Sequence, residues 1–309
     1  MTDALVGAAD LPAAAGPARR AVVEFLEVDG TRIRVTRLGT GLPLVYLHSA
    51  FGEVGELPLF TALAAAGFEV VAPELPGFGQ SDPITAWRSI ADVVFTLRRI
   101  LDRLEVAPAV LVGSSLGGWL AAEIAVWFPE RVRQLALLAP VGLRIDGAPV
   151  FEIFGAQDAD LLPRLLARPG DLPRHLAPAL AMAGNAAGTG SAGRSGVAGR
   201  SGVSGGSGGS GADPLALPLH LFRAMEATAR IGWNPYLSDP ALAGRLGLVT
   251  APTLVVRGDL DGILPAAHAA AYAAAIPGTR LVELPGAGHL PALEQPAEIA
   301  RLISAHHHS

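Results

Sequence analysis

The chain has 309 residues, half of them hydrophobic, so it can bury a full core in one large domain or two small ones. Its basic residues are all arginine, and they are dispersed among the acids to a formal net charge of -5 with no block of one sign. That balance speaks against nucleic acid or an anionic membrane as partner, and the absence of cysteine excludes disulfides, thiolate metal sites and thiol nucleophiles.

Residues 1–18 are rich in small apolar side chains, but Asp3 and Asp10 stand where a secretory signal carries positive charge, and Arg19 and Arg20 come after the apolar stretch. Residues 1–20 are therefore expected to form a disordered leader. No run of about 18 apolar residues free of charge and proline occurs, so no membrane span is expected and the cytoplasm is the default location. From residue 21, AVVEFLEV and TRIRVTRL alternate on either side of Asp29-Gly30, which reads as a β-hairpin on an antiparallel edge. Short β-branched runs at 43–48, 69–73, 108–112 and 134–139 then alternate with helical patterns near 54–66, 86–105 and 116–128. Such repetition builds a mostly parallel sheet flanked by helices.

The alternation breaks between about 143 and 235, where proline-punctuated pieces such as FEIFGAQDADLLPRLLARPG appear. It resumes with strand 253–257, helix 266–275, strand 280–284 and helix 297–305. The expected organisation is an α/β core of residues 21–142 and 236–305, a mainly helical cap at 143–235, and an exposed tail at 306–309. Within the cap, 12 of the 28 residues from Gly184 to Gly211 are glycine and AGRSGV occurs twice in tandem. That composition buries too little surface to fold, so 184–211 is expected to be a flexible loop.

The most informative motif is Gly113-Ser114-Ser115-Leu116-Gly117, set between the apolar run Leu111-Val112 and a helical pattern. A nucleophile on a sharp strand-to-helix turn needs glycine two residues before and after it, where a Cβ would collide. GxSxG also matches at 202–206 and 205–209, inside the low-complexity loop, so context and not the bare pattern singles out Ser115. A serine hydroxyl needs an imidazole, itself oriented by a carboxylate, to become a useful nucleophile. Gly258-Asp259-Leu260-Asp261 follows one apolar strand and Gly286-Ala287-Gly288-His289 follows another. His289 is the expected base and Asp261 its orienting acid, with Asp259 as the alternative. Leu116 is the expected first backbone donor to an oxyanion, and Ala50 the second, with Ser49 as its alternative. His48 is expected to shape its loop by hydrogen bonding, without a proton-transfer role. His306, His307 and His308 read as an exposed tail, and neither a metal nor a cofactor is expected.

With these residues in hand the chain resembles the α/β-hydrolase family from about residue 22 to 305, excluding the glycine-serine loop. The resemblance rests on GSSLGGW, GDLDGILP, GAGHLPALEQP and the turn Pro73-Glu74-Leu75-Pro76-Gly77-Phe78-Gly79-Gln80-Ser81-Asp82, in the family's order. It implies an α/β-hydrolase fold with an inserted cap and a serine nucleophile. Within the family the chain is similar to carboxylesterases and to the carbon–carbon bond hydrolases that act on ring-fission products. The latter usually carry asparagine before the nucleophile and tryptophan after the histidine, where this chain has Ser114 and Leu290. A small or medium apolar ester is the expected substrate. Phe51, Trp233 and Leu290 are candidate substrate contacts, and Phe151, Phe154, Leu221, Phe222 and Tyr236 either line the pocket or pack within the cap. Carbon–carbon cleavage, cofactor-free perhydrolysis and non-catalytic binding on the same fold are the alternatives. A small molecule is the expected partner, and the oligomeric state is open.

Overall fold

A computed structural model describes residues 20–53, 55–156, 158–171 and 216–307. Most of the expected leader and the whole of the 184–211 loop lie outside the described residues. β1 (Val22–Val28) and β2 (Thr31–Gly39) pair antiparallel through Asp29 and Gly30, both at positive φ, the turn that matches the twist of the flanking strands. β3 (Leu42–Leu47), β4 (Phe68–Pro73), β5 (Ala109–Ser114), β6 (Val132–Leu138), β7 (Thr253–Gly258) and β8 (Arg280–Leu284) complete an eight-stranded sheet in the order β1-β2-β4-β3-β5-β6-β7-β8. All pairings from β4 to β8 are parallel. The central strands are covered on both faces, and every residue of β5 is buried, which is why they read as continuous apolar runs instead of alternating ones.

The helices follow from capping and apolar spacing. The first, α1 (Pro58–Ala65), begins where Pro58 supplies a preset φ at the first turn, later than the 54 the pattern suggested. α2 (Ile90–Leu104) begins after a capping box in which Ser89 and Asp92 satisfy each other's backbone N–H groups. Its buried residues, from Ile90 through Val93, Val94, Leu97, Ile100, Leu101 and Leu104, form one stripe. α3 (Leu116–Trp127) is buried almost all round.

The chain steps from β3 outward to β4, then crosses back past β3 to β5 and continues to β8. Right-handed crossovers therefore put α1 and α2 on opposite faces, and the loops after β3 and β5 flank the crevice where the strand order reverses. That crevice lies at the carboxyl ends of the two strands that precede Ala50 and Ser115.

Between β6 and β7 the chain leaves the sheet. The insert carries α4 (Asp158–Leu165) and α5 (Ala216–Gly232), and its two ends are bridged at Gly142 and Ser238. After it come α6 (Leu242–Arg245), α7 (Ala266–Ala275), α8 (Pro291–Glu294) and α9 (Pro296–His307). α9 runs through His306 and His307, which are half-buried; the ring of His307 meets Phe68 edge-on at 6.4 Å. The expected exposed tail is thus corrected for these two residues: the helix had enough apolar surface to carry them against β4. No helix among the described residues is long and apolar enough to cross a membrane.

Candidate active site

Ser115 stands between β5 and α3 at φ 51°, ψ -108°, a conformation that costs a non-glycine residue on the order of 1–3 kcal/mol and persists only where its surroundings hold it. Its N–H donates to the Leu138 carbonyl at 2.8 Å, and its carbonyl accepts from Trp119 and Val141. The flanking glycines are obligatory on steric grounds. A Cβ on Gly113 would lie 2.2 Å from the Gly117 carbonyl oxygen, and one on Gly117 would lie 2.1 Å from that of Leu47.

The loops after β7 and β8 bring the other two groups to this turn. His289 Nε2 is 2.9 Å from Ser115 Oγ, and Nδ1 is 2.9 Å from Asp261 Oδ2. The Asp261 and His289 side chains are each 1% exposed and Ser115 is 4% exposed, so the relay is shielded from water. The second oxygen of Asp261 accepts the N–H groups of Ile263 and Leu264, both at 2.9 Å, which fixes the carboxylate plane. Asp259 points elsewhere and accepts from Gly286 N at 2.7 Å, bracing the two loops against each other. The carboxylate facing the imidazole is therefore Asp261. An imidazole held between a hydroxyl and a carboxylate can take the hydroxyl proton and return it later.

The loop 48–53 closes the crevice on the β3 side, and nearly all its polar groups are paired. His48 Nδ1 donates to the Ser49 carbonyl at 2.8 Å and Nε2 accepts from Leu75 N at 3.0 Å; burial drives the pKa of this imidazole down to about 4 and keeps it neutral. Ser49 N donates to Glu53 Oε2 at 2.7 Å, Phe51 N to Ser49 Oγ at 3.1 Å, and Gly52 N to the Ser49 carbonyl at 3.0 Å. From α5, Thr228 Oγ1 donates to the Ala50 carbonyl at 3.1 Å and His220 Nε2 to that of Gly52 at 2.8 Å. The N–H groups of Ala50 and Leu116 have no acceptor among the described residues, although both residues are buried. Unpaired buried donors are rare and costly, and such N–H groups, one of them on the residue after Ser115, suit an incoming anionic oxygen. Ser49 N, the alternative second donor, is occupied by Glu53. Burial pushes the Glu53 carboxyl up from its ordinary value, and its Oε1 is shielded from solvent without a partner among the described residues.

The expected substrate contacts divide. Phe51 and Leu290 are buried beside Ala50 and His289 in the chain, whereas Trp233 is 63% exposed and packs on Phe154 at 5.4 Å. Phe154 also meets Tyr236 edge-on, and the Tyr236 hydroxyl joins the backbone of Phe151 and Ile153. These aromatic residues thus pack within the insert, and Phe222 is 65% exposed. Trp233, expected as a pocket residue, is corrected to an exposed one that follows the end of α5 and packs on Phe154. Glu53, Thr228, His220 and Glu294 were not anticipated; their partners lie in loops whose approach no local spacing announces. Among the described residues no group of three or more histidine or acidic side chains is arranged to hold a metal ion.

Comparison with known proteins agrees with this architecture. The family described as "alpha/beta hydrolase fold" matches residues 43–296. The dihydrolipoyllysine-residue acetyltransferase component of an acetoin cleaving system from Cupriavidus necator is 29% identical over 93% of this chain and 69% of its own. A 2-hydroxy-6-oxo-6-phenylhexa-2,4-dienoate hydrolase from Burkholderia cepacia is 26% identical over 84% of this chain and 85% of its own. The solved structure of an enzyme of that name from Rhodococcus superposes with a TM-score of 0.71 at 20% identity, covering 94% of this chain and 99% of that one. With the strand order, the serine turn and a family match over most of its length, this chain belongs to the alpha/beta hydrolase family.

Proposed function

We propose that the protein is a serine hydrolase that cleaves a small or medium apolar ester through an acyl-enzyme. The observation that carries this reading is the buried relay from Ser115 Oγ through His289 to Asp261, with both contacts at 2.9 Å. In the proposed cycle Ser115 attacks the ester carbonyl as His289 Nε2 takes its proton. Charge collects on the carbonyl oxygen, which the free N–H groups of Ala50 and Leu116 stabilise. His289 then protonates the departing alcohol, and a water activated by the same imidazole releases the acid. Asp261 holds the Nδ1–H tautomer and balances the imidazolium. The insert between β6 and β7 is the proposed cap, and the buried, uncharged Phe51 and Leu290 support an apolar substrate.

Carbon–carbon cleavage of a vinylogous diketone is the second reading, supported by the similarity to the Burkholderia hydrolase over 84% of this chain. Ser114 and Leu290, in place of the asparagine and tryptophan usual in such enzymes, weigh against it. A panel of p-nitrophenyl esters of graded chain length beside a vinylogous diketone tests both. Ester turnover lost in S115A, without diketone cleavage, is expected. Diketone cleavage without ester turnover would overturn the ester assignment.

A further inference from the structure

Two segments far apart in sequence meet at the loop that carries His289. The insert residues 164–168, at the end of α4 and just beyond it, run alongside residues 288–289. The Leu165 carbonyl accepts from His289 N at 2.8 Å, and the Arg164 carbonyl accepts from Gly262 N at 3.0 Å. Contact is so close that a Cβ on Gly288 would lie 2.7 Å from the Leu165 oxygen.

The side chain of Glu294 joins the two. One oxygen accepts from Ala167 N at 2.7 Å and Arg168 N at 3.4 Å, while the other accepts from Gly288 N at 2.6 Å. Only a carboxylate serves here. An amide offers one acceptor and one donor, so glutamine would set an N–H against an N–H on one side, and aspartate is one methylene too short to span both.

We propose that Glu294 is a positioning residue that makes the placement of His289 depend on the docking of residues 164–168. The proposal rests on the serine-hydrolase reading for its effect on turnover, but not for its effect on the imidazole. Because Gly288 immediately precedes His289, release of either side of the clamp frees the backbone that aims the ring at Ser115 and Asp261. Displacement of 164–168 also breaks the bond from His289 N to Leu165. The insert and the base thus move as one unit, and the relay is assembled only while this part of the insert is seated.

The test compares wild type with E294Q and E294D, using thermal melting as the control for folding. Three readouts are followed: hydrogen exchange at the Gly288 and Ala167 amides, the low-field proton signal of His289 Nδ1, and the rate of Ser115 labelling by a fluorophosphonate. In E294Q both amides should exchange faster together, and the Nδ1 signal should broaden or shift. Labelling and kcat should fall about ten- to a hundredfold with KM within about twofold, the pattern of a misaimed base in a formed pocket. E294D should be intermediate, and it remains informative if E294Q does not fold. An unchanged Nδ1 signal in folded variants, with labelling within about twofold of wild type, would overturn the proposal and leave Glu294 a purely stabilising residue. Absence of labelling in the wild type would instead count against the serine-hydrolase reading, while the Nδ1 signal still decides the positioning role.

Discussion

Ser115 occupies a backbone conformation that only its neighbours make tenable. Gly117→Ala is therefore expected to cost about 3 kcal/mol and to abolish fluorophosphonate labelling, since the new Cβ would meet a carbonyl oxygen of β3 at 2.1 Å. Melting curves and labelling together check this. Loss of Ser115 or His289 should lower kcat by roughly 10⁶, and Asp261→Asn by roughly 10⁴, because the acid orients the base without exchanging a proton. His48 has a different signature. Its folded pKa of about 4 lies below the ordinary 6.5, so the neutral ring contributes stability that is present above pH 6.5 and lost as pH falls towards 4. The whole effect is on the order of 3 kcal/mol, shared in sign by His268, whose pKa is also lowered by burial. Glu53, shifted upward, acts in the opposite sense as pH rises through its own folded value. As the pH is lowered from 7 to 4, the urea midpoint should therefore drop further in the wild type than in His48→Asn. At this scale Ser115 and His289 were legible because steric need puts glycine around them. Asp261 is the acid expected ahead of Asp259, and the path of the loop turns Asp261 towards His289 and Asp259 towards Gly286 N.

Among the elements, the hairpin and α2 were plain in the sequence because their signals are local, Asp29-Gly30 in one and a helical apolar pattern near 86–105 in the other, while the Ser89–Asp92 capping box that starts α2 at Ile90 came only with the structure. The insert was visible as a break in alternation, but its contacts were not. Thr228 reaches Ala50 across 178 residues and Glu294 reaches Ala167 across 127, distances at which spacing carries no information. Thr228 is fully buried on α5, and its hydroxyl gives the loop 48–53 one of its two ties to that helix. Thr228→Val keeps the shape and removes the donor. It should cost about 1–3 kcal/mol by leaving the Ala50 carbonyl unpaired in the interior. It should also lower kcat more than it raises KM, since the neighbouring N–H meets charge only as the reaction proceeds. A change confined to KM would argue that the loop forms part of the binding wall alone.

The molecule as a whole places its site by topology. Reversal of strand order beside β3 opens the crevice, and the loops from β3, β5, β7 and β8 converge on it. This was legible from the order of strands and motifs, whereas the packing of the insert was not, as the 63% exposure of Trp233 makes clear. A second anchor sits behind the site. Glu123 on α3, 1% exposed, is met by Arg245 on α6 and by the indole N–H groups of Trp119 and Trp127. Arg245→Met leaves that buried carboxylate without its cation and should destabilise the fold by about 3 kcal/mol while sparing the relay, so melting falls and the labelling rate per folded molecule holds. The proposed activity requires that Ser115 be a nucleophile activated by His289. Intact-mass analysis after exposure to a fluorophosphonate tests it most directly. Wild type should gain one phosphonyl group located at Ser115, while S115A and H289A remain unmodified under the same conditions. A folded wild type that stays unmodified, or a label that persists in S115A, would contradict it.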